Sequence, residues 1–455
     1  MVMTRIYPPS VVAKFGGTSV ADFDAMNRSA SIVLADQDVR LVVLSASAGV
    51  TNLLVELSEG LETHQQLDKF ETLRAIQYNI ISRLKQPSVI STEIDNLLNN
   101  IHRLAQTAMV SPSDALSDEL VSHGELMSSL LFTEVLRERQ AEAGWFDARS
   151  VMRTNANFGC AEPELGTLHH QVETHLRPRL EQAIMVTQGF IGRDAAGHTT
   201  TLGRGGSDYT ATLLGEALHA TRVDIWTDVA GIYTTDPRIA PRAKRIDHIS
   251  FSEASDMAAY GAKVLHPATL LPAMRKSIPV FVGSSKDTAA GGTLVHNTTD
   301  NPPRYRALAV RRKQTLLRLH SLEKQPSCSF LAQSFAILAR HAVTVDLVTT
   351  SENSIALALD ATHATSGEDH VLTTALFTAL SSHCRVEVET GLALVTLVGN
   401  QLTQATGVCK DVFAWLEEHT VRMICHGASN DNLCILLPAD DADSAVRALH
   451  YRLFE

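Results

Sequence analysis

Apolar and polar positions fall into two textures along the chain. Up to about residue 300, short apolar runs of strand length alternate with stretches in which apolar residues recur at helical spacing. The runs VVAKF (11–15), VRLVVLS (39–45), AIMVTQGFIG (183–192), VDIWTDV (223–229) and IPVFVGS (278–284) predict strands. Ala21 to Leu34 predicts a helix, and Leu53 to Arg137 is mostly helical in pattern. Such alternation predicts an α/β sheet sandwiched between helices. Pro302 and Pro303, following the polar segment HNTTDN, mark a linker.

Beyond the linker the texture changes to short strand–helix–strand–strand units, and one unit repeats. FAILARHAVTVDLVTTSENS begins at Phe335 and FAWLEEHTVRMICHGASNDN at Phe413. Phe335/Phe413, Leu338/Leu416, His341/His419, Val343/Val421 and Ser351/Ser429 align at one offset, 413 − 335 = 78. An ungapped match of this kind predicts two copies of one small α/β unit packed side by side.

At 455 residues the chain predicts two or three domains. A hydrophobic fraction of 45% and a charged fraction of 20% describe a soluble globular protein. The net charge of −11 argues against non-specific nucleic-acid binding, which needs a basic face, yet permits a local basic pocket. The six cysteines form no Cys-x-x-Cys pair, so neither a zinc site nor a disulfide framework is expected. Cys425 and Cys434, in apolar runs, are expected to be reduced core residues. No apolar signal core or membrane-length run is present, which predicts a cytoplasmic protein with no membrane partner.

The candidate chemistry sits in loops that follow strands. In KFGGTSV, Lys14 ends a strand, Gly16 and Gly17 allow positive φ and close approach, and Thr18 or Ser19 is placed to cap the next helix. Together they suit a phosphate, an ordinary tight turn being the competing reading. In TTTLGRGGSDYTA, Gly203, Gly205 and Gly206 bracket Arg204, whose fork suits a carboxylate or phosphate, and Ser207 or Asp208 is the expected cap. A third loop, SASAGVTNLL, makes Thr51 or Asn52 the expected cap. Three such loops can converge at the carboxyl end of a parallel sheet, where ligands bind in open α/β folds. In VDIWTDVAGIYTTDPR, Asp228 ends a strand, and Tyr233 and Arg238 suit a base and its phosphates, or else a structural turn. Glu125 lies on a helix beside the small residues Gly124, Ser128 and Ser129; it can receive an ammonium group or sit solvated on the helix side. His123 and His266 lack metal-ligand spacing and read as structural.

KFGGTSV, SHGELMS, TLGRGGSDYTA, TDVAGIYTTDPR and GAKVLHP, in this order, resemble the aspartate kinases of the amino-acid kinase fold, most closely the monofunctional lysine-sensitive branch. The two C-terminal repeats resemble paired ACT domains. The resemblance runs from Val11 to the C-terminus, and no homoserine dehydrogenase domain is expected. It implies an amino-acid kinase (carbamate-kinase-like) sandwich over residues 1–300, then two ferredoxin-like ACT units over 301–390 and 391–455. The implied reaction is phosphorylation of the side-chain carboxylate of L-aspartate by ATP with Mg2+, the entry step to lysine, threonine and methionine biosynthesis.

By motif, Lys14, Gly16 and Gly17 would hold ATP phosphates, with Thr227, Asp228, Tyr233, Arg238 and Lys263 around the nucleotide. Thr51, Glu125, Arg204 and Ser207 would bind aspartate, and Asp208 would lie near the metal–phosphate centre, with no direct protein ligand of the metal assigned. Lys14 and Asp208 are the implied catalytic pair. The acceptor carboxylate is ionised at neutral pH, its reference pKa being near ~3.9, so no general base is required. Positioning and charge stabilisation carry phosphoryl transfer instead.

The ACT repeats imply feedback inhibition by lysine, with candidate effector residues Lys324, Ser327, Phe330, Leu331, Val345, Asp346, Ser351 and Glu352. Lys324 and Ser329 depart from the lysine-sensitive pattern, which usually carries methionine and glycine there. A homodimer through the ACT units, or a dimer of dimers, is expected. The alternatives are a threonine-inhibited aspartate kinase, another kinase of this fold, and a catalytically silent amino-acid sensor.

Overall fold

The computed structural model describes residues 10–262, 265–299, 301–322, 327–341, 343–360 and 372–455. The chain gathers into two compact units. The first takes residues up to Ile232, Arg245–Ser255 and the stretch as far as Thr299; the second takes Tyr233–Lys244, residues 256–262 and the described chain beyond 300.

The first unit is built on eight strands, in the order Ala143–Phe146, Ile184–Gln188, Val39–Leu44, Val11–Phe15, Arg222–Thr227, Val280–Ser284, Gly292–His296, His248–Ser250. The first six run parallel, and Gly292–His296 pairs antiparallel to Val280–Ser284. All five residues of Val11–Phe15 are buried, as a strand with helices on both faces requires. On one face Phe15 meets Phe132 of the helix Asp114–Glu138; on the other, Val12 and Val223 approach Gly215 of the helix Gly206–Leu218. Because the central strands are parallel, the loops after Phe15, Leu44, Gln188 and Thr227 open at one edge.

The expected strand over 183–192 is broken. Ile184–Gln188 stays in the large sheet, whereas Ile191–Arg193 pairs with Thr199–Thr201 in a separate ribbon. The break falls at Gly189–Phe190, where Phe190 takes a φ of 70°, a conformation an L-residue adopts only when its surroundings fix it. The edge strands Ala143–Phe146 and His248–Ser250, and Gly292–His296 next to the latter, were not legible as apolar runs, being three to five residues long and partly exposed. The first helix spans Phe23–Ala35; its cap is Asp22, whose carboxylate accepts from Ala25 N–H. Thr18 and Ser19 lie instead in a 3-10 turn ahead of it, Gly17–Val20.

The second unit carries a six-stranded antiparallel sheet. Val345–Thr350 and Ser354–Asp360 correspond to Met423–His426 and Asn432–Pro438 at the offset of 78 seen in the sequence, since 345 + 78 = 423 and 354 + 78 = 432. Two long strands, Tyr305–Ser321 and Cys384–Gly399, each serve both repeats. Their register slips between Arg311 and Leu316, beside Lys313 with a φ of 59°. Leu308 belongs to the apolar cluster of the second repeat, with Val395, Ile435 and Leu449, while Leu317 and Leu319 belong to that of the first. The second repeat thus draws a strand from ahead of the first. All six cysteines are free, and burial pushes the Cys434 thiol up to about 11.

Candidate active site

Lys14 is the fourth residue of a fully buried strand and is itself only 7% exposed. Its Nζ lies 2.5 Å from Asp208 Oδ1, an ion pair without the alignment of a hydrogen bond. Asp208 stands in the first turn of Gly206–Leu218, whose N-cap is Gly205 with a φ of 73° and no side-chain cap. Two glycine loops far apart in sequence therefore meet through one cation and one anion. Ser207 and Asp208 do not cap that helix, which leaves both side chains to face the loops.

Neither Gly16 nor Gly17 takes a positive φ; close approach is what Gly17 provides. Gly16 is extended (φ −75°), with its N–H on Trp226 O, and a Cβ on it would sit 3.5 Å from Lys14 Nζ. A Cβ on Gly17 would come within 2.8 Å of Ala46 O, so the loop after Val11–Phe15 packs directly on the loop after Val39–Leu44. Ser19 Oγ contacts Ser285 Oγ at 2.6 Å, tying the same turn to the end of Val280–Ser284.

The loop 45–49 enters the helix Val50–Ser58 through Gly49, with a φ of 83°; Gly49, not Thr51 or Asn52, is its N-cap, and Thr51 is the second helical residue. Gly124 explains how the long helix reaches this loop, because a Cβ there would lie 2.7 Å from Ala46 Cβ. Ser128 Oγ donates to Ser45 O, and Ala46 N–H donates to Glu125 Oε1 at 3.0 Å. Glu125 is buried, not solvated on the helix side. Its Oε2 has no hydrogen-bond partner among the described residues. Burial pushes the carboxyl up to about 8, against the Ala46 N–H and the Lys14 charge, which favour ionisation. The empty half of Glu125 is suited to an ammonium group.

Arg204 is exposed between Gly203 and Gly205, both at positive φ. The strand leading into this loop is pinned by Asp118, which accepts from Thr201 N–H, Thr201 Oγ1 and Gly159 N–H. Gly189 makes room for Ser207: a Cβ at 189 would lie 2.6 Å from Ser207 Cβ. Ala46, Gly189 and Phe190 are thus parts of the site that residue-type reasoning missed, and the Gly-Phe step inside an apolar run was the signal available. His266 caps the helix Pro267–Lys276, and His123 bonds Asn100 and Glu119 O.

Thr227 ends the strand beside Val11–Phe15, and its Oγ1 donates to Asp228 Oδ1 at 3.2 Å. Tyr233 and Arg238 fall in the second unit, where Asp236 accepts from the Arg238 guanidinium. Lys263 lies outside the described residues. Among the described residues no group of three or more His, Cys, Asp or Glu side chains is placed to hold a metal, and no helix is long and apolar enough to cross a membrane.

Residues 9–284 match the amino acid kinase family, and residues 395–453 match the ACT domain. The lysine-sensitive aspartokinase 3 of Escherichia coli K12 is 63% identical, over 98% of this chain and 99% of its own. The chain belongs to the aspartokinase family. The solved structure of E. coli aspartokinase III with aspartate and ADP (R-state) superposes with a TM-score of 0.92, at 63% identity, covering 98% of this chain and 100% of that one. The complex of the same enzyme with lysine and aspartate (T-state) gives 0.83 at the same identity and coverage.

For an aspartokinase, the regulatory candidates fall in the first repeat. Phe330 is buried in its apolar cluster, with Leu331 and Val345 packed against that cluster. Ser327 opens the helix Ser327–Arg340 and is exposed, as are Ser351 and Glu352. Ser351 is tied to Ser354 through both backbone and hydroxyl. Asp346 already holds a cation: Arg311 Nη1 lies 2.6 Å from its Oδ2 and 3.4 Å from Asp360 Oδ2. Lys324 lies outside the described residues.

Proposed function

We propose that the chain transfers the γ-phosphoryl group of ATP to the side-chain carboxylate of L-aspartate and is inhibited by lysine through its ACT repeats. One observation carries the site: Lys14, Asp208 and Glu125 come from three separate segments and gather at the carboxyl edge of the parallel sheet, with Glu125 buried and half unsatisfied. The identity with the lysine-sensitive E. coli enzyme supports the same reading.

In this reading the α-ammonium of aspartate meets Glu125, and its α-carboxylate meets Arg204 with Ser207 beside it. Thr51, in the first turn of Val50–Ser58, and the backbone of loop 45–49 face the acceptor carboxylate. A dicarboxylate lacking the ammonium would leave Glu125 buried and unpaired, which disfavours it. Lys14, nearly buried and anchored by Asp208, steadies the charge that spreads over the migrating phosphoryl group. Gly16 and Gly17 let phosphate oxygens approach the backbone. Thr227, Asp228, Tyr233, Arg238 and Lys263 would surround the nucleotide. Magnesium suits a site with one local carboxylate, because it keeps phosphate oxygens and water as most of its ligands; Asp208 is the described carboxylate beside Lys14 that would face it. When bound, the ion neutralises phosphate charge.

The test is ADP production with MgATP and a panel of amino acids, with and without lysine. Turnover on aspartate alone, suppressed by millimolar lysine, is expected. No turnover on aspartate would remove the reading, and inhibition by threonine instead of lysine would overturn the effector.

A further inference from the structure

The segment Tyr233–Lys244 comes from the middle of the kinase sequence yet packs in the second unit. Its Ile239 sits against the apolar cluster that includes Leu449, with Leu453 and Phe454. Leu308 N–H donates to Thr234 O at 2.7 Å. The rest of its anchorage is a ring of polar contacts with the C-terminal helix, Ala442–Phe454.

Thr234 Oγ1 accepts from Lys244 N–H at 3.0 Å, so its own proton is free to go to His450 Nε2, 2.9 Å away. His450 is 0% exposed, and its other nitrogen, Nδ1, lies 3.3 Å from Glu455 Oε1. A carboxylate only accepts, which places a ring proton on Nδ1, and Nε2 makes the second hydrogen bond with the Thr234 hydroxyl. Glu455 Oε2 then accepts from Arg242 Nη1 at 2.9 Å, returning the chain of contacts to the segment where it began. Lys244 Nζ donates to Phe454 O at 2.5 Å, and Thr234 N–H to Lys244 O at 2.8 Å. The Thr234 hydroxyl, both imidazole nitrogens and both Glu455 carboxylate oxygens are matched, and the centre of the ring is a fully buried imidazole.

We propose that this ring is a positioning device for nucleotide binding, with Thr234, His450 and Glu455 as positioning residues. It rests on the reading that Tyr233 and Arg238, on the same segment, meet the nucleotide. A loop that a ligand must order loses affinity to that ordering, and one already fixed by its neighbours does not. The end of the second ACT repeat thus sets the shape of a segment belonging, by sequence, to the kinase.

The measurement uses full-length protein: KM for MgATP and for aspartate, and MgADP affinity by calorimetry, in Thr234→Val, Thr234→Ser, Arg242→Ala and Arg238→Ala. Thr234→Val keeps the shape and deletes the hydroxyl. It is expected to raise the ATP KM and the ADP dissociation constant about three- to tenfold, the worth of a buried hydrogen bond, with the aspartate KM unchanged. Thr234→Ser should restore both. Arg242→Ala, at the exposed end of the ring, should shift ATP in the same direction by about twofold, and it provides the test if Thr234→Val does not fold. Unchanged ATP parameters in Thr234→Val or Arg242→Ala, alongside a raised ATP KM in Arg238→Ala, would sink the positioning role and leave the nucleotide reading standing. If Arg238→Ala also leaves ATP unaffected, the nucleotide reading fails first. ATP and aspartate KM rising together would signify general loosening and overturn the proposal.

Discussion

Glu125 in the first unit and Asp346 in the second stand in opposite conditions. In the parallel-sheet unit, Glu125 is buried with one oxygen on Ala46 N–H and the other unmatched. In the antiparallel unit, Asp346 is already paired with Arg311, whose same Nη1 also lies 3.4 Å from Asp360 Oδ2. A buried carboxyl group with one oxygen unmatched is a standing penalty that a polar or cationic partner relieves. A matched carboxylate gives a ligand nothing until the resident cation lets go. On the proposed reading, substrate would complete the first site, whereas an effector ammonium at Asp346 would have to compete with Arg311.

The largest break in this contrast comes at Lys14. Lys14→Ala removes the cation that Asp208 anchors and should lower turnover about a thousandfold, the order seen when one preorganised charge stabiliser is lost. Circular dichroism should show the fold intact, and near-normal turnover would reduce the loop to a turn.

Glu125→Gln comes next. It keeps the shape and should raise the aspartate KM about 30- to 100-fold with little change for ATP, since a buried charge-assisted contact is lost. The same substitution tests the charge state. The folded carboxyl titrates near 8, and its unfolded counterpart near ~4.3. Between those values the folded chain holds a proton that the unfolded chain has released, so this group's contribution makes stability fall as pH rises, levelling off above about 8. Gln carries no such slope. Melting temperatures should therefore favour the variant increasingly from about pH 5 to about pH 8.5, and a pH-independent difference would mean that Glu125 is ionised throughout. Aspartate binding near neutral pH should release about one proton in wild type and fewer in the variant, read by calorimetry in buffers of different ionisation enthalpy.

Much of this was legible in the sequence, and the limits have physical causes. Runs such as Val11–Phe15 announce themselves because both faces are covered, which forces a near-continuous apolar string, interrupted here by Lys14. The repeat offset of 78 survives because corresponding strands bury corresponding faces. Caps were misjudged in three loops, at Asp22, Gly49 and Gly205. In the last two, backbone in the left-handed region replaces a side-chain cap, and hydroxyls nearby give no hint of that. The burial of Glu125 was invisible because it depends on Gly124 meeting Ala46, a contact between segments 78 residues apart (124 − 46). Likewise, nothing in the local sequence assigns Tyr233–Lys244 to the C-terminal helix, since the contacts that do so come from Leu308, His450 and Glu455.

On the regulatory side, Asp346→Asn should raise the lysine concentration for half-inhibition about tenfold without altering turnover in its absence. Arg311 keeps Asp360 as a partner, so the variant should fold. Unchanged inhibition would move the effector's ammonium away from Asp346. The comparison with Glu125 is direct, because both substitutions remove a carboxyl group that would face an ammonium group. The expected effect is smaller at Asp346, where part of the contact with the effector replaces an ion pair already present.

The smallest effect is expected at Gly124, which supports the site without touching a ligand. In Gly124→Ala the new Cβ would lie 2.7 Å from Ala46 Cβ and 3.3 Å from Leu54 Cδ1 and Val50 Cγ1. The first of these distances demands movement, and neither partner has a flexible end to swing aside. The long helix and loop 45–49 must separate by a few tenths of an ångström, lengthening the Ala46–Glu125 bond. Overpacking of this size destabilises by about 1–3 kcal/mol, partly offset by the better helix propensity of alanine. The aspartate KM should rise a few-fold and the ATP KM should not, because Lys14 and Asp208 stand on other segments. Equal shifts in both constants would show that loop 45–49 serves the nucleotide as much as the amino acid, and would erase the division of labour between Glu125 and Lys14.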